Sequence, residues 1–208
     1  MQKFLRTAAT IVAGLAFASG AHAASSFTID FDTNAQGQAL VAAPLFVDTT
    51  PLTNAYASLG VTFSGLSGIY PGGSILNQAG NFGVPAHSGV NFLAFNTYLG
   101  SAPEKISFDN EIQSLSLYVA AGETFTLSTF NAQDQLLNSS TLFTWDWAQL
   151  SVAAQGIKYV TLSVSGGDNV FVVDDLTVQG AVPEPEQFAL VLAGLLTVGT
   201  LARRQARG

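Results

Sequence analysis

The feature that most constrains the fold of this chain is a two-residue alternation of apolar and polar side chains between Ala24 and Gly180. Residues 27–32 read FTIDFD, and residues 159–164 read YVTLSV. Successive side chains of a β-strand point to opposite faces, so this period predicts half-buried strands rather than helices. We expect strands at Phe27–Asp32, Val61–Ser64, Val90–Phe95, Ile106–Phe108, Leu115–Val119, Thr124–Ser128, Leu136–Phe143, Ala148–Val152, Tyr159–Val164 and Val170–Val178.

Short strands separated by Gly, Pro, Asn and Ser, with no long helical stripe among them, predict an all-β domain over residues 24–180. The expected architecture is a single antiparallel β-sandwich that is jelly-roll-like. The sequence contains no cysteine, so outside the cytoplasm the domain would be held by its apolar core and not by disulfides. A domain of about 150 residues buries close to 70% of its chain surface, which is enough for such a core.

Residues 1–23 have the composition of a secretory signal peptide. Lys3 and Arg6 form a charged start, Ala8 to Gly20 is apolar, and residues 21–23 read AHA, a small-x-small cleavage site. The alternative is a buried core helix, which would leave both cations at one end without a polar face. We therefore expect the mature chain to begin directly after the AHA site.

The C-terminal segment, residues 181–208, has the features of a membrane-targeting segment. Two prolines at its start exclude a helix there, an uncharged run from Phe188 to Ala202 predicts a transmembrane helix, and arginines follow. At 1.5 Å per residue the run spans roughly 22 Å of a hydrocarbon core of roughly 30 Å, and the arginine stems can extend it. The basic end places the C-terminus in the cytoplasm and the strand domain across the membrane.

This order of parts resembles the PEP-CTERM sorting signal of Gram-negative bacteria. The residues that carry the resemblance are Val182, Pro183, Glu184, Pro185, Phe188, Arg203 and Arg204. It implies an exosortase-type membrane enzyme as a partner, cleavage near the prolines, and delivery from the inner membrane to the cell surface or the exopolysaccharide matrix. The tail pattern is also called the C-terminal domain of ice-binding proteins, a label for the tail alone. The alternative is an ordinary single-pass anchor.

The charge of the strand domain excludes one class of partner. Lys105 and Lys158 are its only basic residues against twelve acidic residues, which gives a net charge of −10 between Ala24 and Gly180. A surface this acidic repels phosphate backbones, so we do not expect nucleic-acid binding. Divalent cations complement such a surface.

Two pairs of aspartates lie in the first and last predicted strands. Asp30 and Asp32 alternate with apolar residues, so we expect them on one face of the first strand with Phe27, Ile29 and Phe31 on the other. Asp174 and Asp175 interrupt the sequence VFVVDDLTV in the last strand. By strand alternation we expect Asp174 on the same side as Val172, Leu176 and Val178. A carboxylate there needs a cation, a proton or hydrogen bonds.

The placement of these acids resembles the jelly-roll domains of extracellular adhesion and carbohydrate-binding modules, in which the terminal strands pair. The resemblance implies that Asp30 or Asp32 and Asp174 or Asp175 converge on one Ca²⁺, a hard cation that prefers oxygen ligands. The alternative is that the acids cap turns or accept backbone N–H bonds at strand ends.

Both tryptophans of the chain lie in one aromatic segment. Phe143, Trp145 and Trp147 occupy alternate positions, with Thr144, Asp146 and Ala148 between and after them. The favoured interpretation is the core side of a strand. The alternative is an exposed platform for glycans formed by Trp145 and Trp147.

Catalytic residue types are scarce in the strand domain. His87 is its only histidine and follows a glycine-rich stretch from Gly65 that is either a rim or a binding loop. There is no nucleophile elbow and no zinc ligand set. We therefore expect a non-enzymatic surface or matrix module that is adhesive or glycan-binding; the alternatives are a secreted polysaccharide hydrolase that uses carboxylates and a purely structural matrix protein.

Overall fold

A computed structural model describes residues 26–42, 52–64, 74–76, 82–95, 103–166, 170–180 and 194–195 of this chain. Contacts divide the chain into two units, of which Ala24–Val182 is the strand domain and the two terminal segments form the other. The predicted signal peptide, the sorting motif and all but two residues of the predicted transmembrane helix lie outside the described residues. Among the described residues, no helix is long and apolar enough to cross a membrane.

The described part of the strand domain contains nine strands and one short 3-10 helix, Ala57–Leu59. The strands are β1 Ser26–Ile29, β2 Val61–Ser64, β3 Ser74–Leu76, β4 Phe92–Phe95, β5 Glu104–Ala120, β6 Thr124–Phe130, β7 Leu136–Phe143, β8 Ala148–Val164 and β9 Phe171–Gly180. Every pairing among them is antiparallel. The all-β antiparallel prediction is confirmed.

The strands form two layers, and the long strands β5 and β8 take part in both. The hydrogen-bonded order is β3-β4-β9-β5-β8-β6-β7, with β1 beside β9 and β2 beside β5. The first half of β5 pairs with β2 and with the second half of β8, whereas its second half pairs with β9 and the first half of β8. We call the layer with β1, β4 and β9 the first sheet, and the layer with β2, β6 and β7 the second sheet.

The two sheets enclose one apolar core. Phe125 of β6 and Phe171 of β9 lie in different sheets, yet their ring centroids are 5.0 Å apart in an edge-to-face contact. Leu127, Leu162 and Leu117 from both layers are fully buried in the same cluster. The sheet therefore closes on itself as a sandwich, in agreement with the predicted architecture.

The prediction of four short strands at 106–108, 115–119, 148–152 and 159–164 was wrong, because these segments form only two strands. In β5 the register shifts on both sides of Ile112, and in β8 Gly156 adopts a left-handed conformation with φ of 76°. Such bulges bend a strand without ending it. The bends carry β5 and β8 from one sheet into the other.

The first and last strands pair, as the resemblance to jelly-roll modules implies. Phe27 lies opposite Val178, and Ile29 lies opposite Leu176. The first strand nevertheless ends at Ile29, because Phe31 has a positive φ of 59° that no strand continues. Asp30 and Asp32 therefore do not share the face of a strand, contrary to the prediction.

Candidate functional site

One loop crosses the outer face of the first sheet and contacts most of the residues singled out in the sequence. We call residues 82–91 the covering loop. Its Val84 is buried in a second, smaller apolar cluster together with Phe92, Ala94, Ala120 and Val172. The side chain of Trp147 packs against the same cluster, and its indole N–H donates a 2.8 Å hydrogen bond to the carbonyl of Pro85.

Asp174 and Asp175 of β9 hold the middle of the covering loop. Asp174 Oδ2 accepts the backbone N–H groups of His87 at 2.9 Å and Ser88 at 3.1 Å, and its Oδ1 accepts the N–H of Asp175 at 2.8 Å. Asp175 accepts a hydrogen bond from the Ser88 hydroxyl at 2.7 Å, and its other oxygen lies 2.6 Å from His87 Nδ1. Two adjacent carboxylates thus bind two adjacent loop residues.

The predicted orientation of Asp174 was wrong in part. Asp174 is fully buried and faces the same side as Val172, as expected, but Leu176 and Val178 face the main core. The reason is a bulge at Asp175, whose φ is 49°, together with a register shift between β5 and β9 at this point. The extra residue reverses the alternation.

Asp32 holds the C-terminal end of the covering loop, whereas Asp30 shapes the turn after β1. Asp32 Oδ1 accepts the N–H groups of Val90 and Asn91, both at 3.0 Å. Asp30 Oδ1 accepts the N–H of Asp32 at 3.0 Å and that of Thr33 at 3.2 Å. Backbone N–H groups thus donate to Asp30, Asp32 and Asp174, as the alternative interpretation expects, whereas the partners of Asp175 are side chains.

The structure brings three of the four predicted metal ligands to one loop without forming a metal-binding group. Asp32 lies at Asn91, the last residue of the loop, and Asp174 and Asp175 lie at His87, near its middle. Within the described ranges no three Asp, Glu, His or Cys side chains are grouped so that they could hold an ion.

Burial dominates the electrostatics of Asp174. Burial raises the pKa of its carboxyl group from 3.8 to about 6, the N–H bonds from Ser88, Asp175 and His87 lower it, and the charge of Asp175 raises it. The charged form is therefore disfavoured although three donors point at it.

The neighbouring histidine is held by stacking as well as by Asp175. The His87 and Tyr118 rings are stacked with centroids 3.6 Å apart and planes 20° apart, and Trp147 approaches His87 edge-on at 5.8 Å. The Ser88 hydroxyl donates to the Asp175 carboxylate. In a catalytic triad the serine would instead donate to the imidazole and the acid would orient it. The arrangement of His87, Ser88 and Asp175 thus positions a loop and does not activate a nucleophile.

The aromatic segment divides into an exposed pair and a packed residue. Phe143, at the end of β7, is 57% exposed, and Trp145, in the turn before β8, is 74% exposed. Their centroids are 6.0 Å apart with planes at 85°. The favoured core interpretation was wrong for this pair, because residues 144–147 form a turn and not a strand. Trp147 is partly buried, but it lies in the same turn and packs on the small apolar cluster of the outer face, not on the main core.

Sequence reasoning missed Tyr118 and Ser88 as members of this site. The alternation in β5 does place Tyr118 on the polar face with Ser116, which indicates an outward ring. No local signal indicates that Ser88 meets Asp175, because the two residues are far apart in sequence. The sorting-motif residues Val182, Pro183, Glu184, Pro185, Arg203 and Arg204 lie outside the described residues.

Comparisons with known proteins give structural similarities only: no family model and no curated protein sequence matches this chain. The K2 cleaved adhesin domain of Lys-gingipain matches 74% of this chain and 97% of its own at 14% identity and a TM-score of 0.47. The CBM22-1–CBM22-2 tandem domain of Paenibacillus barcinonensis Xyn10C matches 81% of this chain and 49% of its own at 13% identity and a TM-score of 0.49. TmCBM61, solved with β-1,4-galactotriose, matches 58% of this chain and 91% of its own at 13% identity and a TM-score of 0.39. At such identities and scores, none of these similarities assigns a function to this chain.

Proposed function

We propose that the strand domain is a non-enzymatic module that binds glycans through Phe143 and Trp145. The observation that carries the proposal is the exposure of this pair, 57% and 74%, in a domain whose other large aromatic rings are mostly buried among the described residues. Exposed neighbouring apolar side chains of this size mark an interaction surface. Aromatic faces suit the apolar C–H faces of sugar rings.

The turn that carries Trp145 is fixed before any ligand arrives. The N–H of Gly122 donates to the Thr144 carbonyl at 2.8 Å, and the Trp147 N–H donates to Asp146 Oδ1 at 2.7 Å. The indole of Trp145 lies against Gly122, where an added Cβ would come within 2.9 Å of its Cζ3. A platform held in this way loses little conformational entropy on binding.

Charge narrows the ligand to uncharged glycans. The strand domain carries a net charge of −10, with Lys105 and Lys158 as its only cations. Both lysines are engaged: Lys158 donates to the Asp109 carbonyl at 2.6 Å, and Lys105 lies 3.8 Å from the centroid of the Tyr159 ring. A polyanionic chain would therefore meet repulsion and find no pair of free cations among the described residues.

The terminal segments add a cellular location to this proposal. Residues 1–23 would direct export, and the segment from Val182 to Arg204 would be recognised by an exosortase-type enzyme in the inner membrane. The binding module would then be displayed at the cell surface or in the exopolysaccharide matrix. Mass spectrometry of both termini of the mature protein tests this part. A product that ends near Pro185 supports processing, and one that keeps residues 188–208 identifies a standing anchor.

Affinity electrophoresis through gels that contain neutral polysaccharides tests the binding function. Trp145→Ala should abolish retardation, because it removes most of the exposed ring surface. Leu136→Ala is the matched control: it lies at the other end of β7 and is 58% exposed, but its side chain is aliphatic. Equal retardation of both variants and the wild type would refute the platform. Release of new reducing ends from the polysaccharide would instead identify a hydrolase.

A further inference from the structure

A second feature of the outer face of the first sheet is an open groove of about 450 Å³. Its floor is formed by outward side chains of four neighbouring strands. Ser151, Ser116 and Thr177 lie opposite one another on β8, β5 and β9, and the next row contains Ala153, Ser114 and Gln179, continued by Ser26 of β1. One wall is the segment Asn138–Ser140 of β7.

Hydrogen bonds fix the floor and the wall of this groove. Ser114 donates to Gln179 Oε1 at 3.1 Å, and the hydroxyl groups of Thr28 and Thr177 are 2.8 Å apart. The wall is tied to the floor because Asn138 Nδ2 donates to the Ala153 carbonyl at 3.0 Å. The groove is thus built before a ligand enters and does not require a ligand to form.

The chemistry of the lining selects the class of ligand. None of the residues that line the groove is ionisable, and most carry a hydroxyl or amide group. A hydroxyl group both donates and accepts, so adjacent hydroxyls can bind a partner that is itself rich in hydroxyls. A charged ligand would lose hydration here without gaining an opposite charge. The volume lies within the range of roughly 300–1,000 Å³ that is usual for small-molecule sites.

We propose that the groove binds internal units of a neutral, extended polysaccharide chain and lengthens the site begun by Trp145. This proposal rests on the proposed glycan-binding function. Strand β5 carries the floor at Ser116, and the turn under Trp145 begins at Gly122, six residues further on. At roughly 3.3 Å per residue the two sites lie at most about 20 Å apart along this strand. A linked chain that contacts both sites passes over the stacked rings of His87 and Tyr118, because Tyr118 lies between Ser116 and Gly122 on the same face.

The groove predicts that affinity rises with chain length. Isothermal titration with neutral xylo- and cello-oligosaccharides, from disaccharide to hexasaccharide, measures this rise, and oligogalacturonates serve as charged comparators. Ser116→Phe fills the floor with a ring and should lower hexasaccharide affinity at least about tenfold, which corresponds to about 1.4 kcal/mol. Thr177→Val keeps the shape of the floor, removes one hydroxyl, and should reduce the same rise by a smaller factor.

Ser107→Phe is the matched control for Ser116→Phe. Ser107 lies on the same strand and is half-buried like Ser116, but it faces outward from the second sheet. It should bind the hexasaccharide as the wild type does. If Ser116→Phe and Thr177→Val bind every chain length as the wild type does while Trp145→Ala does not, the groove inference fails and the platform stands. If no variant and no wild type binds any neutral oligosaccharide, both proposals fail. Tighter binding of oligogalacturonates than of neutral chains also overturns the inference.

Discussion

The buried carboxyl group of Asp174 should give the free energy of unfolding a defined pH dependence. Burial raises its pKa from 3.8 to about 6, against the lowering effect of three N–H donors. The folded chain then holds a proton on this group over a range in which the unfolded chain has released it. The free energy of unfolding therefore falls as the pH rises from about 4 to about 6, and it levels off above the folded pKa.

The size of this fall follows from the two pKa values. The difference between 3.8 and about 6 corresponds to about 3 kcal/mol, at about 1.36 kcal/mol for each pH unit. This is a large share of the roughly 5–15 kcal/mol by which domains are stable. The effect should be visible in urea denaturation followed by tryptophan fluorescence at closely spaced pH values.

Asp174→Asn removes this titrating group and leaves the side chains that do not contact it unchanged. The amide has nearly the same size, keeps one acceptor oxygen for the N–H groups of His87 and Ser88, and cannot ionise. Lost hydrogen bonding to Asp175 adds an offset that does not depend on the pH over this range. The stability of the variant relative to the wild type should therefore rise by about 3 kcal/mol between pH 4 and pH 7. Parallel curves for the two proteins would refute the reasoning.

Three further predictions concern the loop and the aromatic turn. Gly89→Ala should lower the free energy of unfolding by more than about 2 kcal/mol, because φ is +54° and a Cβ would overlap the Asp32 carboxylate. The control Gly37→Ala, at φ of +73° in open space, should lower it by only about 1 kcal/mol. Equal urea midpoints for the two variants would contradict this prediction. Asn91→Ala should lower the free energy of unfolding by about 2 kcal/mol, because the buried amide donates to the carbonyls of Phe31 at 3.3 Å and Leu40 at 3.1 Å. A decrease below about 0.5 kcal/mol in urea denaturation would contradict this prediction. Acrylamide should quench the fluorescence of Trp147→Phe, which keeps the exposed Trp145, more strongly than that of Trp145→Phe, and the reverse order would invert the assignment of the two rings.

Most of the strands could be predicted because alternation reports directly on a half-buried sheet. The predicted bounds of Val61–Ser64 and Leu136–Phe143 are confirmed residue for residue. The pairing of the first and last strands also follows the expectation. The strand bounds depend on local pattern, and the pairing was expected from the resemblance to jelly-roll modules.

The bulges could not be placed by alternation alone, yet the sequence contains a trace of each. In β5 the core-facing apolar residues have even numbers up to Ile112 and odd numbers from Leu115. In β9 they have odd numbers up to Val173 and even numbers from Leu176. Such a change of phase within one apolar run indicates an inserted residue. The second change falls on the Asp174–Asp175 pair, and for this reason the predicted side of Leu176 was wrong.

The prediction of a strand through Trp145 and Trp147 was wrong because local polar side chains form hydrogen bonds that favour a turn. Thr144 hydrogen-bonds through its side chain to the carbonyl and the N–H of Asp146, and Asp146 accepts the Trp147 N–H. Thr and Asp commonly form such local bonds and thereby favour a turn over a strand. The alternation of Phe143, Trp145 and Trp147 is therefore accidental, and Trp145 points into solvent.

Asp32 and Asp174, at the terminal strands, accept hydrogen bonds that hold the covering loop. β1 and β9 pair through Ile29 and Leu176, so Asp32 after β1 and Asp174 in β9 lie at the same end of one ladder. Each accepts two N–H groups from the covering loop, Asp174 near its middle and Asp32 at its C-terminal end. Closure of the loop therefore depends on the pairing of the first strand with the last, which also aligns the floor of the groove.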